Sequence, residues 1–148
     1  MSKENTLVTG ALQQALVDLI ALELQAKQAH WNIRGASFRA LHLALDEVVD
    51  QARTLLDDVA ERIAQIGGIP DGRAETVAAT TTLAPIDGGL LETEKAYVLM
   101  SEKVQHVSDA VKANIDAVDD VDHVSGDILI QTGAALDMQA WLLRSATE

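Results

Sequence analysis

The chain has 148 residues, with 11 Lys plus Arg against 23 Asp plus Glu, so its formal charge is −12 with every His neutral. That length suits one domain, which at this size buries roughly two-thirds of its unfolded surface; the absence of Cys excludes a disulfide framework, a thiolate zinc site and a Cys nucleophile. The negative balance opposes nucleic acid and anionic lipid, and Lys and Arg are scattered singly, so no basic patch offsets it.

A short leader, residues 1–5, precedes the first helical pattern. From about Thr6 to Ile33, Val8, Leu12, Ala15, Leu16, Leu19 and Ala26 recur at three- and four-residue spacing, which marks one helical face. Gln13, Gln14, Asp18 and Glu23 interrupt the stretch, so it reads neither as the apolar core of an export signal nor as a membrane span, and a cytoplasmic location is expected. After a break at Asn32 to Gly35, Ser37 is placed to cap a second helix running through Phe38, Leu41, Leu45, Val48, Ala52, Leu56, Val59 and Ile63 to a stop at Gly67-Gly68. Two long helices with so short a break predict an antiparallel pair. Residues 68–89 carry Pro70, Pro85 and the run Thr80-Thr81-Thr82; they read as a long crossover with one helical turn near Ala74 to Ala79. A third helix is expected from about Leu90 to Val118 and a fourth from about Val124 to Ser145, separated by Asp119-Asp120-Val121-Asp122. The pattern predicts a single all-α domain over residues 1–148: a ferritin-like four-helix bundle with its long connection between the second and third helices.

At about 100° per residue, Asp46, Asp57, Asp50 and Glu61 fall on one stripe with His42, opposite the apolar face of the second helix. Alone, such a stripe is an ordinary solvated face. His30 changes the weighing: it lies in register with Leu12, Leu16 and Leu19, where a polar ring is costly unless paired. The break near Gly35 brings His30 and His42 to similar height in an antiparallel pair, and Asp57 and Glu61 form a second pair at i and i+4. Two imidazoles with carboxylates suit Fe(II) or Zn(II), iron being favoured where redox chemistry is needed. His42 and Asp57 lie 15 residues apart, about 22 Å along one helix, so a single metal cannot touch both within one chain. A centre using all four residues takes the His pair from one subunit and the carboxylates from another, across a two-fold axis that makes two such centres.

The segment from Lys27 to Gly72 closely resembles the Dps family, the DNA-binding proteins from starved cells, also called mini-ferritins. The match is carried by His30-Trp31-Asn32, Arg34-Gly35, Phe38, His42, Asp46, Asp57, Ala60-Glu61-Arg62 and Gly67-Gly68, and it returns over residues 126–145. The resemblance implies a hollow homododecamer that oxidises Fe(II), preferably with hydrogen peroxide and otherwise with dioxygen, and stores a ferric oxide core. It assigns His30, His42, Asp46, Asp57 and Glu61 to a di-iron ferroxidase centre between two-fold-related subunits. It further implies that Lys27 pairs with a site carboxylate, the alternative being a solvated lysine, and that Trp31 lies near the iron, as an electron donor or as interface packing.

By the same resemblance Asp119, Asp120, Asp122 and Asp127 line an iron-admitting three-fold pore, Asp127 foremost, and Glu47 and Asp50 face the cavity as nucleation sites. Trp141 reads as packing, His106 and His123 as surface residues, and Glu23 as an interface or site-supporting charge. One departure matters. Where family members bind DNA through a lysine-rich tail, this N-terminus offers only Lys3 and the C-terminal segment only Arg144. DNA binding is therefore expected to be weak or absent, which disfavours the alternative of a nucleoid-compacting protein with secondary iron binding.

Overall fold

In the computed structural model, which describes residues 2–148, the first helix starts earlier than its periodicity suggests. Ser2 accepts a hydrogen bond from the Asn5 backbone N–H, and this cap starts α1, Lys3–Asn32, inside the expected leader. The chain then passes through β1, Ile33–Arg34, into α2, Phe38–Gln65; a short α3, Ala74–Thr80, lies in the crossover where a helical turn was expected. The expected third helix is divided. Leu91–Glu92 form β2, parallel to β1 with Ile33 opposite Leu91; α4 spans Thr93–Lys112, and α5 spans Ile115–Asp119. The interruption falls at Asn114, whose side-chain amide donates to the Ala110 carbonyl, the local competition that makes Asn a poor interior helix residue. The last helix, α6, spans His123–Arg144.

Helix α1 packs chiefly on α2 and α4 on α6, and the two pairs close around one core. Leu12, Leu19, Leu22, Leu41, Leu45, Ile63, Met100, Leu129, Leu136 and Leu143 are fully buried there, each contributing roughly 1.5–3 kcal/mol of apolar transfer. By length and composition α1 is apolar enough to cross a membrane, with a mean hydropathy of 1.4, but half of its most apolar window is buried inside the bundle.

Polar residues of α1 tie the crossover down. Gln13 exchanges two hydrogen bonds with the Asp71 backbone, Gln14 donates to the Thr80 carbonyl, and Gln25 donates to the Ala84 carbonyl. The buried Asp18 accepts from both Thr81 and Thr82 hydroxyls and from the Thr82 N–H. From α4, Lys103 donates to the Ala84 carbonyl at 2.6 Å, and burial pushes its pKa down. His106, read from sequence as a plain surface residue, is exposed but bonds Thr82 Oγ1 at 3.1 Å.

The α1–α2 corner fixes the spacing of the candidate site. Gly35 has φ +124°, and a Cβ there would stand 3.0 Å from Thr93 Oγ1, so the turn requires glycine. Ser37 precedes α2 as expected, but it is left-handed and its hydroxyl makes no cap bond; the expectation of a Ser37 side-chain cap is corrected. Phe38 also departs from its assignment to the core face, being 41% exposed.

Candidate metal centre

His30, on the last turn of α1, and His42, on the second turn of α2, meet face to face. Their ring centroids are 3.6 Å apart with planes inclined by 16°. Each Nδ1 lies against the other's backbone carbonyl: His30 Nδ1 is 2.7 Å from His42 O, and His42 Nδ1 is 2.9 Å from His30 O. A carbonyl has no proton to give, so both Nδ1 atoms carry the hydrogen, and in the neutral rings both Nε2 atoms keep free lone pairs. A backbone acceptor on the far nitrogen is the usual support of a metal-binding imidazole, because it sets both tautomer and orientation. His30 is only 6% exposed, so this exchange also settles how a ring is tolerated on the core face of α1.

Asp46 lies beside the His pair. Its Oδ1 lies 2.6 Å from Lys27 Nζ and 3.4 Å from His30 Nδ1. The Lys27 hydrogen bond holds the Asp46 carboxyl below its ordinary value, outweighing burial, which opposes ionisation. The Lys27 ammonium thus pairs with the Asp46 carboxylate within the chain.

Asp57 and Glu61 are exposed near the far end of α2. Because α2 is unbroken from Phe38 to Gln65, Asp57 stays about 22 Å from His42. Among the described residues, no three His, Asp or Glu side chains come together as a metal cluster within one chain. Glu61 borders a groove of about 260 Å³ with Asp58, Gln65, Gln131 and Thr132. Trp31, beside His30, is 66% exposed and Trp141 is 52% exposed; neither is used by the chain's own core. Glu47 and Asp50 are exposed on α2, and Glu23 accepts from Arg53 Nε at 2.6 Å.

The acidic run between α5 and α6 divides in role. Asp122 caps α6 by accepting from the Val124 N–H, takes a hydrogen bond from Ser125, and pairs with Arg62 at 2.8 Å. Its burial opposes ionisation, yet bonds from Ser125 and Arg62 outweigh this and bring its pKa down to about 2. Its carboxylate is thereby committed to holding the junction of α2 with α6. Asp120 and Asp127 are exposed, Asp127 accepting from Gln131 at 2.6 Å. Asp119, half-buried, lies 3.2 Å from the exposed His123. Since the folded pKa of Asp122 lies below its ordinary 3.8, its stabilisation is complete above about pH 4 and is lost as pH falls towards 2. Asp122→Asn is accordingly expected to flatten acid unfolding between those values, read by circular dichroism against pH.

The ferritin-like domain profile matches residues 9–148. A DNA protection during starvation protein from Agrobacterium fabrum is 31% identical over 97% of this chain and 90% of its own length. The chain belongs to the Dps family of ferritin-like proteins. A second relative, DNA protection during starvation protein 2 from Deinococcus radiodurans, is 33% identical over 91% of this Dps chain, which spans 56% of that longer protein. Among solved structures, Dps from Microbacterium arborescens in its high iron form superposes with a TM-score of 0.92 at 30% identity, covering 99% of this chain and 95% of that one.

Sequence reasoning did not find three residues that matter in the structure: Asp18 as the anchor of the crossover, Arg62 as the clamp on Asp122, and Phe38 as a ring stacked on His42 at 5.1 Å. A signal for the first was present. Gln14, Asp18 and Gln25 lie along one edge of an otherwise apolar helix, at spacings that share a face.

Proposed function

We propose that this chain is an iron-storing and iron-detoxifying ferroxidase, assembling as a hollow homododecamer and oxidising Fe(II) with hydrogen peroxide at its two-fold interfaces. The observation that carries the reading is the reciprocal Nδ1-to-carbonyl exchange of His30 and His42, which leaves the two Nε2 atoms to serve as metal donors. Membership of the Dps family and the high iron form of a structural neighbour support iron as the substrate.

In this scheme the donor set fits Fe(II): two imidazole nitrogens from one subunit, with Asp57 and Glu61 of a second copy supplying anionic oxygens that favour the ferric product. Asp46, held by Lys27, is poised beside the His pair to bind or orient a second iron. Two Fe(II) each give up one electron, the O–O bond of hydrogen peroxide breaks, and two protons complete two waters. Delivering both electrons together avoids release of hydroxyl radical. Trp31 is placed to absorb a stray oxidising equivalent, and Asp119, Asp120 and Asp127 draw Fe(II) inward by negative potential at a pore. Glu47 and Asp50 offer carboxylates for mineral nucleation, and the assembly works in the cytoplasm.

The test is anaerobic Fe(II) titration of the assembled protein followed by stoichiometric peroxide, with ferric absorbance and light scattering recorded together. Rapid oxidation in a particle of about twelve subunits is expected; oxidation no faster than in buffer would refute the reading. With each subunit contributing −12, plasmid DNA is expected to migrate unretarded with the intact assembly at moderate salt. Retardation there would favour the nucleoid-compacting alternative.

A further inference from the structure

Phe38, the chain's sole Phe, opens α2 one helical turn before His42. Its ring stacks on the His42 imidazole with centroids 5.1 Å apart and planes inclined by 25°. His42 is also stacked on His30, so three rings form a continuous column from Phe38 to the end of α1. Phe38 is 41% exposed and lies outside the buried core, so within the chain its contribution is this contact rather than volume in the core.

The contact has a mechanical consequence. Rotation about the Cβ–Cγ bond of His is soft, with broad, roughly two-fold wells, so backbone position alone does not aim Nε2. His30 is a buried residue of α1; His42 is half-buried. Its ring is held by one hydrogen bond, Nδ1 to the His30 carbonyl, and by the rings stacked on it. We infer that Phe38 is a positioning residue of the metal centre, holding the His42 imidazole in the orientation that presents Nε2 to the metal. The inference rests on the proposed iron site and concerns how one of its ligands is kept in place.

Co(II), whose visible spectrum reports its donor atoms, serves as the probe on assembled protein. Wild type, His42→Ala, Phe38→Leu, Phe38→Met and Phe38→Tyr are titrated, and the His42-dependent binding is isolated by difference from His42→Ala. Phe38→Leu is expected to weaken that binding about tenfold, the usual effect of losing a residue that orients a metal ligand, with an altered spectrum. Phe38→Tyr, which keeps the ring, is expected to restore both. Wild-type affinity and spectrum in Phe38→Leu would overturn the inference while leaving the iron site standing. Loss of the particle in both Phe38→Leu and Phe38→Met would assign the ring to subunit packing and equally overturn it. Absence of any His42-dependent Co(II) binding in wild type would instead remove the iron-site reading, and this one with it.

Discussion

In a His42→Ala variant, peroxide-driven Fe(II) oxidation is expected to fall by about a hundredfold or more, since losing even a residue that supports a ligand costs 10- to 100-fold. The substitution removes an Nε2 donor, the Nδ1–H bond to His30 O and the stacking surface for His30. It leaves the residue 42 carbonyl that accepts from His30 Nδ1, so His30 keeps its tautomer and the α1–α2 corner keeps its shape. His42 is only half-buried, and Gly35 with the β1–β2 pairing holds the corner independently. Stopped-flow ferric absorbance on iron-loaded protein reads the rate, and light scattering checks that the particle is unchanged. Oxidation at the wild-type rate in an intact particle would remove His42 from the site.

Asp18→Ala carries the largest expected effect on stability, about 2–4 kcal/mol. Its carboxylate is 1% exposed as a residue and accepts from two threonine hydroxyls and the Thr82 N–H. Truncation removes three hydrogen bonds to a charged acceptor, each stronger than a neutral one, and water at the half-buried Thr81 and exposed Thr82 replaces them only in part. The crossover would remain attached through Gln13, Gln14, Gln25 and Lys103, so the loss is local before it is global. Denaturant midpoints at matched subunit concentration measure the first effect. Limited proteolysis measures the second: cleavage is expected to appear within residues 81–89. A midpoint within error of wild type would mean that Asp18 does not anchor the crossover.

The long helices were legible because their apolar spacing persists over many turns: Leu12, Leu16 and Leu19 on α1 and Leu41, Leu45, Val59 and Ile63 on α2 are buried as the periodicity requires. The crossover was legible from its prolines, glycines and threonines. Element ends were less so, because they are set by single interactions. The Ser2 cap extends α1 by a turn, the pairing of Leu91–Glu92 with Ile33–Arg34 delays α4, and the Asn114 side chain divides it from α5. Within the site, the approach of His30 to His42 followed from counting residues on either side of Gly35, and the rings do meet. The reciprocal carbonyl bonds, the stacked Phe38 and the diversion of Asp122 to Arg62 depend on side-chain geometry. No spacing rule along one chain encodes those contacts.

The central claim is that the centre is shared: His30 and His42 come from one subunit, Asp57 and Glu61 from its two-fold mate. Subunit mixing tests it. His42→Ala and Asp57→Ala proteins are each inactive alone under this account, and each is dissociated and reassembled both alone and as a 1:1 mixture. In a mixed pair, one centre inherits both defects, while the other combines an intact His pair with intact carboxylates. Random pairing makes half the pairs mixed, so about a quarter of the wild-type centres should return, because a two-fold interface uses each patch twice. Ferroxidase activity near a quarter of wild type in the mixture, with neither parent active, is the predicted result. A mixture as inactive as its parents, in particles of full size, would contradict the shared centre.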